Sequence, residues 1–374
     1  MKIKNVLNLL LVMILSMITC FSCQPKQEVE NMIPFFIGTY TSEGSEGIYL
    51  SFLDTITGNL SEPRLMAKLS NPSYLTLSED GKLLFAVSEN NGSSEDLFVF
   101  QRNTVNNQLS LVDSMKTNGR GACYVSKISD KYLMVSHYSS GDVVFVPYSP
   151  EGTFYKESMK QFIHDGSGPN LDRQESSHVH SAVADLQREF VYVADLGTDE
   201  LTIYQVEDES IREVTTLAVE PGSGPRHISF HPGGEMMALL NELNSTINIY
   251  HLDSLGIFSN LIQTLHLLPY AIESESLAAD IHFSQDGKSL YASVRGVDRI
   301  FTLSVNEGGV KVIECLEDKI NWPRNFIQDP TGNFLLVANQ SGDDIIVYKR
   351  NIQSGKLTLL ESKAVISQPV CLKF

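Results

Sequence analysis

Residues 79–88 read Glu-Asp-Gly-Lys-Leu-Leu-Phe-Ala-Val-Ser, a polar turn followed by an apolar run that ends in a small polar residue. Asp and Gly favour turns, and a short apolar run bounded by turn residues is typical of a buried strand. Residues 330–339, Pro-Thr-Gly-Asn-Phe-Leu-Leu-Val-Ala-Asn, repeat the pattern. Seven copies end at Thr39, Ser88, His137, Asp195, Asn241, Val294 and Asn339. Their spacing of 45 to 58 residues indicates an internal repeat of about 50 residues.

Each copy is followed by a second strand of alternating character, then by a turn and a third strand, and a fourth strand opens the next unit. Four strands in about 50 residues are typical of a propeller blade. The first unit, at residues 35–39, lacks its opening strand, and residues 369–374 can supply it. The sequence therefore predicts an all-β fold: a seven-bladed β-propeller with four antiparallel strands per blade, closed by the N- and C-terminal strands in one blade.

The first 23 residues have the pattern of an export signal. Two lysines precede an apolar run, residues 6–18, that is too short to span a bilayer. The run leads into Cys-Phe-Ser-Cys, which resembles a bacterial lipobox with Cys23 as the lipidated residue and Cys20 as the weaker candidate. An ordinary secretory signal that contains two cysteines is the alternative. We expect a lipoprotein signal peptide over 1–23, a polar tether over 24–33 and the propeller over 34–374.

This pattern predicts an exported protein of the cell envelope, on its periplasmic or outer face, with membrane contact only through the N-terminal lipid. The net charge of −17 disfavours binding to nucleic acid or to an anionic membrane surface, since both need clustered Lys and Arg. An anionic substrate would be repelled at long range, so its site must supply local arginines. Cys123, Cys315 and Cys371 have no disulfide or zinc spacing and are expected to be buried. We expect a monomer.

Equivalent positions of successive blades lie on a ring around the propeller axis. The innermost strands open with short phrases such as Gly-Pro-Arg-His at 224–227 and Trp-Pro-Arg-Asn at 322–325. One position of these phrases reads Tyr74, Tyr124, His180, His227, Asp280, Asn325 and Cys371, and its neighbour includes Arg226 and Arg324. We expect these polar residues to meet at one mouth of the channel. The alternative is that they bind water and each other and seal the channel.

The strand that follows in each blade supplies a second ring, at Tyr40, Glu89, Tyr138, Leu196, Glu242, Arg295 and Gln340. The sequence leaves open whether this ring lies at the same mouth or at the opposite one. Arg226 and Arg295 could hold a carboxylate, a phosphate or an oxyanion. Glu242 could orient a histidine or act as a base, and the alternative is a buried structural partner of Arg226. For Arg324 the alternative is stacking on Trp322 or a hydrogen bond between blades.

The loop at residues 166–177 makes the third repeat interval the longest and leads into His178-Val179-His180. Long loops in compact domains are often functional. Alternate residues of a strand share a face, so both histidines are expected to point the same way. No recognisable zinc-ligand spacing completes the pair, so we expect no metal and no cofactor. An imidazole that activates water or protonates a leaving alkoxide fits the pattern better.

Several of these phrases resemble the lactonase-type propeller family, whose members include 6-phosphogluconolactonases, with fungal carboxymuconate-cyclising enzymes as relatives. The matching phrases are Phe36-Ile37-Gly38-Thr39-Tyr40-Thr41, Gly168-Pro169 through Arg173-Gln174 to His178-Val179-His180-Ser181, Val193-Ala194-Asp195-Leu196-Gly197, Gly224-Pro225-Arg226-His227, Asn241-Glu242-Leu243, Arg295-Gly296 and Trp322-Pro323-Arg324-Asn325-Phe326. Tyr124 and Val294 depart from the family pattern, which often has His and Asn there.

The resemblance implies an active site that includes His178 or His180, Arg226, Glu242 and Arg295. We expect a second group of residues to bind substrate: Arg173, His227, Asp280, Arg324, Asn325 and Tyr124. The leading hypothesis is a metal-independent hydrolase that opens a sugar lactone, phosphorylated or not, with His180 or Glu242 assisting water. Export makes a sugar lactone from external carbohydrate the more plausible substrate. The alternatives are a lactonising lyase or isomerase on the same site, and a non-catalytic propeller that binds carbohydrate or protein.

Overall fold

The computed structural model describes residues 31–207, 210–253, 257–269 and 276–374, and the regular elements among them are β-strands apart from one short 3-10 helix. Seven sheets of four antiparallel strands form a ring, which confirms the predicted seven-bladed β-propeller. A short 3-10 helix, Lys156–Ser158, interrupts the third blade. The expected signal peptide with Cys23, and most of the expected tether, lie outside the described residues.

The blades are numbered in chain order, and in each the strand given first is the inner one. Blades 1 to 3 contain β28 (Pro369–Lys373), β1 (Met32–Thr39), β2 (Gly47–Asp54) and β3 (Arg64–Lys68); β4 (Leu75–Leu77), β5 (Leu83–Val87), β6 (Leu97–Arg102) and β7 (Leu109–Met115); β8 (Ala122–Ser129), β9 (Tyr132–His137), β10 (Asp142–Pro147) and β11 (Lys160–Ile163). Blades 4 and 5 contain β12 (Val179–Ala184), β13 (Phe190–Asp195), β14 (Glu200–Glu207) and β15 (Ser210–Ala218); β16 (Pro225–Phe230), β17 (Met236–Asn241), β18 (Thr246–Leu252) and β19 (Phe258–His266). Blades 6 and 7 contain β20 (Leu277–Phe283), β21 (Ser289–Arg295), β22 (Arg299–Asn306) and β23 (Gly309–Leu316); β24 (Pro323–Gln328), β25 (Phe334–Asn339), β26 (Asp344–Arg350) and β27 (Leu357–Val365).

The ring closes as the sequence predicts, because C-terminal β28 pairs antiparallel with N-terminal β1. Gly38 lies opposite Cys371 in this pairing. A side chain at Gly38 would meet the carbonyl oxygen of Pro72 at 2.3 Å, so only glycine fits between these blades. β1 begins at Met32, two residues before residue 34.

The core lies between the faces of neighbouring blades. The second strands are buried along their whole length in β5, β13, β17, β21 and β25, which explains why these segments read as continuous apolar runs. Phe85 and Val135, from blades 2 and 3, belong to one such interface. Of the three cysteines, Cys123 and Cys371 are buried as expected, but Cys315 is exposed on β23, an outer strand whose burial the repeat pattern does not specify.

The register of the strands places both predicted rings at one mouth of the channel. The start of each inner strand pairs with the end of the second strand, for example Pro225 with Asn241 and Pro323 with Asn339. Glu242, the residue after Asn241, therefore lies next to the first residue of β16. We call this end of the channel the upper mouth and the end at which the inner strands finish the lower mouth.

A β-bulge near the start of the inner strands corrects one predicted ring position. Pro225 pairs with Asn241 and His227 with Leu240, so Arg226 is the extra residue. In blade 4, Val179 pairs with Asp195 and Ser181 with Ala194. His180 is therefore the equivalent of Arg226 and not of His227, and the predicted ring is wrong at that position. The phrase His-Val-His has no proline or glycine that would reveal the bulge in the sequence.

Removing residues 369–374 should unfold the propeller. The deletion exposes the edge of β1 and removes four buried residues, Pro369, Val370, Cys371 and Leu372. Burial of such side chains contributes about 5 kcal/mol together. We expect the cooperative thermal transition to shift strongly downward or to disappear in circular dichroism. The exposed Val365→Ala on neighbouring β27 is the control and should unfold like the wild type; an unchanged transition in the deletion would contradict closure by β28.

Candidate active site

Three arginine side chains contact one buried carboxylate at the upper mouth. Glu242 follows β17 and is 2% exposed. Arg173 Nη2 donates to its Oε1 at 2.7 Å, and Arg295 Nη2 lies 3.1 Å from Oε2. Arg226 Nη1 also donates to Oε2. The arginines come from the 166–177 loop, from blade 5 and from blade 6, so residues far apart in sequence meet here.

The three guanidinium groups carry more positive charge than the single carboxylate can neutralise. Burial by itself would raise the pKa of Glu242, but Arg226 and Arg295 lower it well below its usual range. Burial and the nearby Arg226 lower the pKa of Arg295 to about 9, which leaves it charged at neutral pH. The cluster therefore carries excess positive charge in a protein whose net charge is −17. Such a cluster can hold an anion or stabilise one that forms during a reaction.

His180 lies against the arginine cluster in its neutral form. Arg226 Nη1 contacts His180 Nε2. Because a guanidinium can only donate, Nε2 accepts and the imidazole proton lies on Nδ1. Burial and the charge of Arg226 lower the pKa of His180 well below 6.5. Its Nδ1 is buried and has no hydrogen-bond partner in the described part of the chain.

His178 and His180 both pack on the ring of Tyr138, His178 stacked at 4.5 Å and His180 edge-on at 5.6 Å between ring centroids. His178 Nδ1 contacts the carbonyl oxygen of Tyr138 at 2.7 Å, and its Nε2 lies 3.3 Å from Glu175. His180, in contrast, reaches Arg226. The two histidines thus share a neighbourhood, but only His180 touches the Glu242 cluster.

Arg324 lies over the ring of Tyr40 at 5.2 Å, and Tyr40 donates to Glu89 at 2.9 Å. The arginine that lies over Trp322 is Arg295, at 5.8 Å, so the alternative that stacked Arg324 on Trp322 is wrong. Trp322 has a positive φ of 54°, and its ring contacts Arg295 of blade 6.

One residue further along the inner strands, a second carboxylate accepts hydrogen bonds from other side chains of the channel wall. Asp280 is fully buried, and its Oδ1 accepts from His227 Nδ1 at 2.8 Å. Its Oδ2 accepts from Asn325 Nδ2 at 2.6 Å and lies 3.1 Å from His282 Nε2. Backbone amides of Ile281 and Phe326 also donate to it. Burial alone would raise the pKa of Asp280, but the histidines and these hydrogen bonds hold it far below its usual range.

The 166–177 loop is fixed to the propeller by Gln174. Gln174 is fully buried and donates to the carbonyl oxygen of Leu196 at 2.8 Å. Its side-chain oxygen accepts from the amide of Asn170 at 3.1 Å. These bonds place Arg173 over the mouth, where it also donates to the Tyr138 hydroxyl at 3.1 Å.

Tyr124, expected to bind substrate, stacks on Tyr74 at 4.0 Å, and its ring lies edge-on to His227 at 5.4 Å. Tyr138 was assigned no role from the sequence, although it belongs to the predicted second ring of residues around the channel. His282 also went unassigned; it lies two residues after Asp280 on β20, a spacing that puts both on one face.

In the described part of the chain, no three side chains of the metal-binding types come together as a ligand set. No helix among the described residues is long and apolar enough to span a bilayer.

Comparison with known proteins agrees with this fold. The chain belongs to the lactonase family of seven-bladed β-propellers, whose family model matches residues 34–374. It is 33% identical to 6-phosphogluconolactonase of Bacillus subtilis over 343 residues, which is 91% of this chain and 97% of that protein. A crystal structure of a candidate 6-phosphogluconolactonase from Bacteroides uniformis superposes with a TM-score of 0.86 at 32% identity, covering 92% of this chain and 99% of that one. The periplasmic gluconolactonase of Pseudomonas aeruginosa gives 0.84 at 28%, with 92% and 99% covered.

Glu242→Gln should destabilise the protein, because it leaves three buried or half-buried guanidinium groups without their counter-charge. Loss of one partner of a buried ion pair typically costs about 3–5 kcal/mol. We expect a lower midpoint in urea unfolding, and a larger stabilisation by added phosphate than in the wild type, since an external anion can replace the carboxylate. The exposed Glu361→Gln, which removes a surface pair with Lys319, is the matched control and should leave the midpoint unchanged. A wild-type midpoint in Glu242→Gln would show that Glu242 does not hold the cluster together.

Proposed function

We propose that this protein hydrolyses a sugar lactone at the upper mouth. The observation that carries the proposal is the excess of positive charge around Glu242, in which Arg226 and Arg295 are both nearly inaccessible to solvent. Attack of water on a lactone carbonyl places negative charge on the carbonyl oxygen. Fixed cations in a site shielded from water stabilise such charge more strongly than water does.

In this proposal Glu242 orients the arginines rather than acting as the base. Its Oε1 accepts from Arg173 and its Oε2 from Arg226, and Arg295 Nη2 lies 3.1 Å from Oε2, so guanidinium groups engage both oxygens. Arg226 and Arg295 face the carbonyl oxygen, and Arg173, which is 32% exposed, faces a more solvated part of the substrate. The names of two similar proteins, a 6-phosphogluconolactonase and a periplasmic gluconolactonase, support a six-carbon aldonolactone as substrate class.

Incubation with a panel of aldonolactones, with and without a phosphate group, tests the reaction. We expect acid release above the spontaneous rate at a pH where uncatalysed opening is slow, with an unphosphorylated lactone turned over at least as well as its phosphate. No excess over the blank for any lactone would instead favour a propeller that binds carbohydrate without catalysis.

Arg226→Ala should lower kcat/KM for the best lactone by about 10²–10³-fold, the usual effect of removing one oxyanion donor. The loss should fall mainly on kcat, because the interaction strengthens as charge develops. Arg212→Ala, which removes a surface guanidinium 59% exposed, is the matched control and should keep wild-type kinetics. Full activity in Arg226→Ala would place the reaction elsewhere.

We also propose that the chain is exported and lipidated at Cys23. In cells fed a labelled fatty acid, the wild type and Cys20→Ser should carry label, whereas Cys23→Ser should carry none. Label that persists in Cys23→Ser and disappears in Cys20→Ser would move the modification to Cys20. Absence of label from the wild type would favour an ordinary secretory signal.

A further inference from the structure

The upper mouth needs a proton acceptor for water, and hydrogen bonding already occupies the two residues expected to supply it. His180 Nε2 accepts from Arg226, and its other nitrogen carries the proton. Glu242 accepts from Arg173 and Arg226, and Arg295 Nη2 lies 3.1 Å from its Oε2. His180 therefore offers no free basic lone pair, and guanidinium groups already engage both oxygens of Glu242.

His227 has such a lone pair. Its Nδ1 lies 2.8 Å from Asp280 Oδ1, and Asp280 is ionised, so Nδ1 donates and carries the proton. Nε2 is then an unprotonated acceptor, and none of the described residues bonds to it. An acidic residue that fixes one imidazole tautomer and leaves the other nitrogen free is the arrangement that serves general-base catalysis in several hydrolases.

Several hydrogen bonds fix the Asp280 carboxylate in the position in which it accepts from His227. It accepts from His227, from Asn325 and from two backbone amides, and His282 lies 3.1 Å from its Oδ2. Asn325 is fixed in turn, because its oxygen accepts from the amide of Leu372 at 2.7 Å. The orientation of His227 is therefore set by inner strands from three blades.

His227 also lies next to the arginine cluster. Its ring centroid is 5.4 Å from that of His180, at an interplanar angle of 75°. Arg226, the preceding residue, bonds to both His180 and Glu242. The Nδ1 of His180, which is buried and has no hydrogen-bond partner among the described residues, belongs to the same neighbourhood.

We propose that His227, positioned by Asp280, is the general base for lactone opening. This inference rests on the proposed function. His227 Nε2 takes a proton from water as the water oxygen bonds to the carbonyl carbon, and the carbonyl electron pair moves onto its oxygen beside Arg226. When that pair returns, the bond from carbon to the ring oxygen breaks, and the imidazolium gives its proton to the ring oxygen. The product is the open hydroxy acid, and His227 is neutral again.

The charges around His227 determine its titration. The pKa of His227 is lowered to about 4, because burial and the charges of Arg226 and His282 lower it by more than Asp280 raises it. Its other neighbours are the rings of Tyr74, Tyr124 and His180. The base is unprotonated at neutral pH, so its contribution to kcat/KM is lost only as the pH falls through the pKa of His227.

His227→Ala and His227→Gln test the base, and circular dichroism checks that each variant is folded. We expect kcat to fall about 10²–10⁴-fold in both, with partial recovery by added imidazole in the alanine variant. Exposed His251→Ala is the matched control for loss of a histidine and should keep wild-type kinetics. If the wild type opens lactones and a folded His227 variant stays within about threefold of its kcat, the base assignment is wrong while the proposed function stands. A wild type inactive on every lactone overturns both.

Asp280→Asn tests the positioning role. Without the carboxylate the pKa of His227 falls, so the acidic limb of the pH profile of kcat/KM should move to lower pH while its plateau drops. KM should change little, because Asp280 is buried beneath His227 rather than exposed to substrate. A lower plateau with an unmoved limb would assign Asp280 a structural role only and would contradict the pairing as a catalytic unit.

Discussion

The buried carboxylate of Glu242 is the constraint on which the site depends. Three arginines that converged without it would repel one another, and burying the carboxylate without them would be costly. The ring of blades brings the carboxylate and the arginines together, because the 166–177 loop, β16 and β21 each place one arginine beside Glu242. The geometry holds only while the ring is closed, which links the pairing of β28 with β1 to the electrostatics of the mouth.

A bulge at the start of the inner strands gives the site two layers. Arg226, the bulged residue, reaches Glu242, while His227, the next residue, reaches Asp280. One layer is cationic and suited to a developing oxyanion; the other contains a neutral imidazole paired with a buried carboxylate. One β-bulge in blade 5 thus places a charge-stabilising group and a proton acceptor side by side.

The sequence predicts the fold well, because each blade repeats the same turn, apolar strand and alternating strand. The convergence of Glu242 with Arg295 also follows from the repeat, since equivalent positions share a ring. Arg226 belongs to the other ring, and only the strand register shows that both rings lie at one mouth. The register of His180 could not be predicted, because a bulge shifts a strand by one residue without a sequence signal. The choice between His180, Glu242 and His227 as base depends on which lone pairs are occupied, and only the three-dimensional arrangement of donors determines that.

In the proposed reaction the arginine-lined upper mouth binds the reacting carboxyl group. A crystal structure with an aldonic acid, the expected product, tests this most directly. We predict that the acid's carboxylate lies beside Arg226 and Arg295, with His227 Nε2 on the same side of the ligand. An aldonate bound instead in the cavity at the lower mouth, which Lys127, Asp185 and Lys373 help to line, would contradict the account.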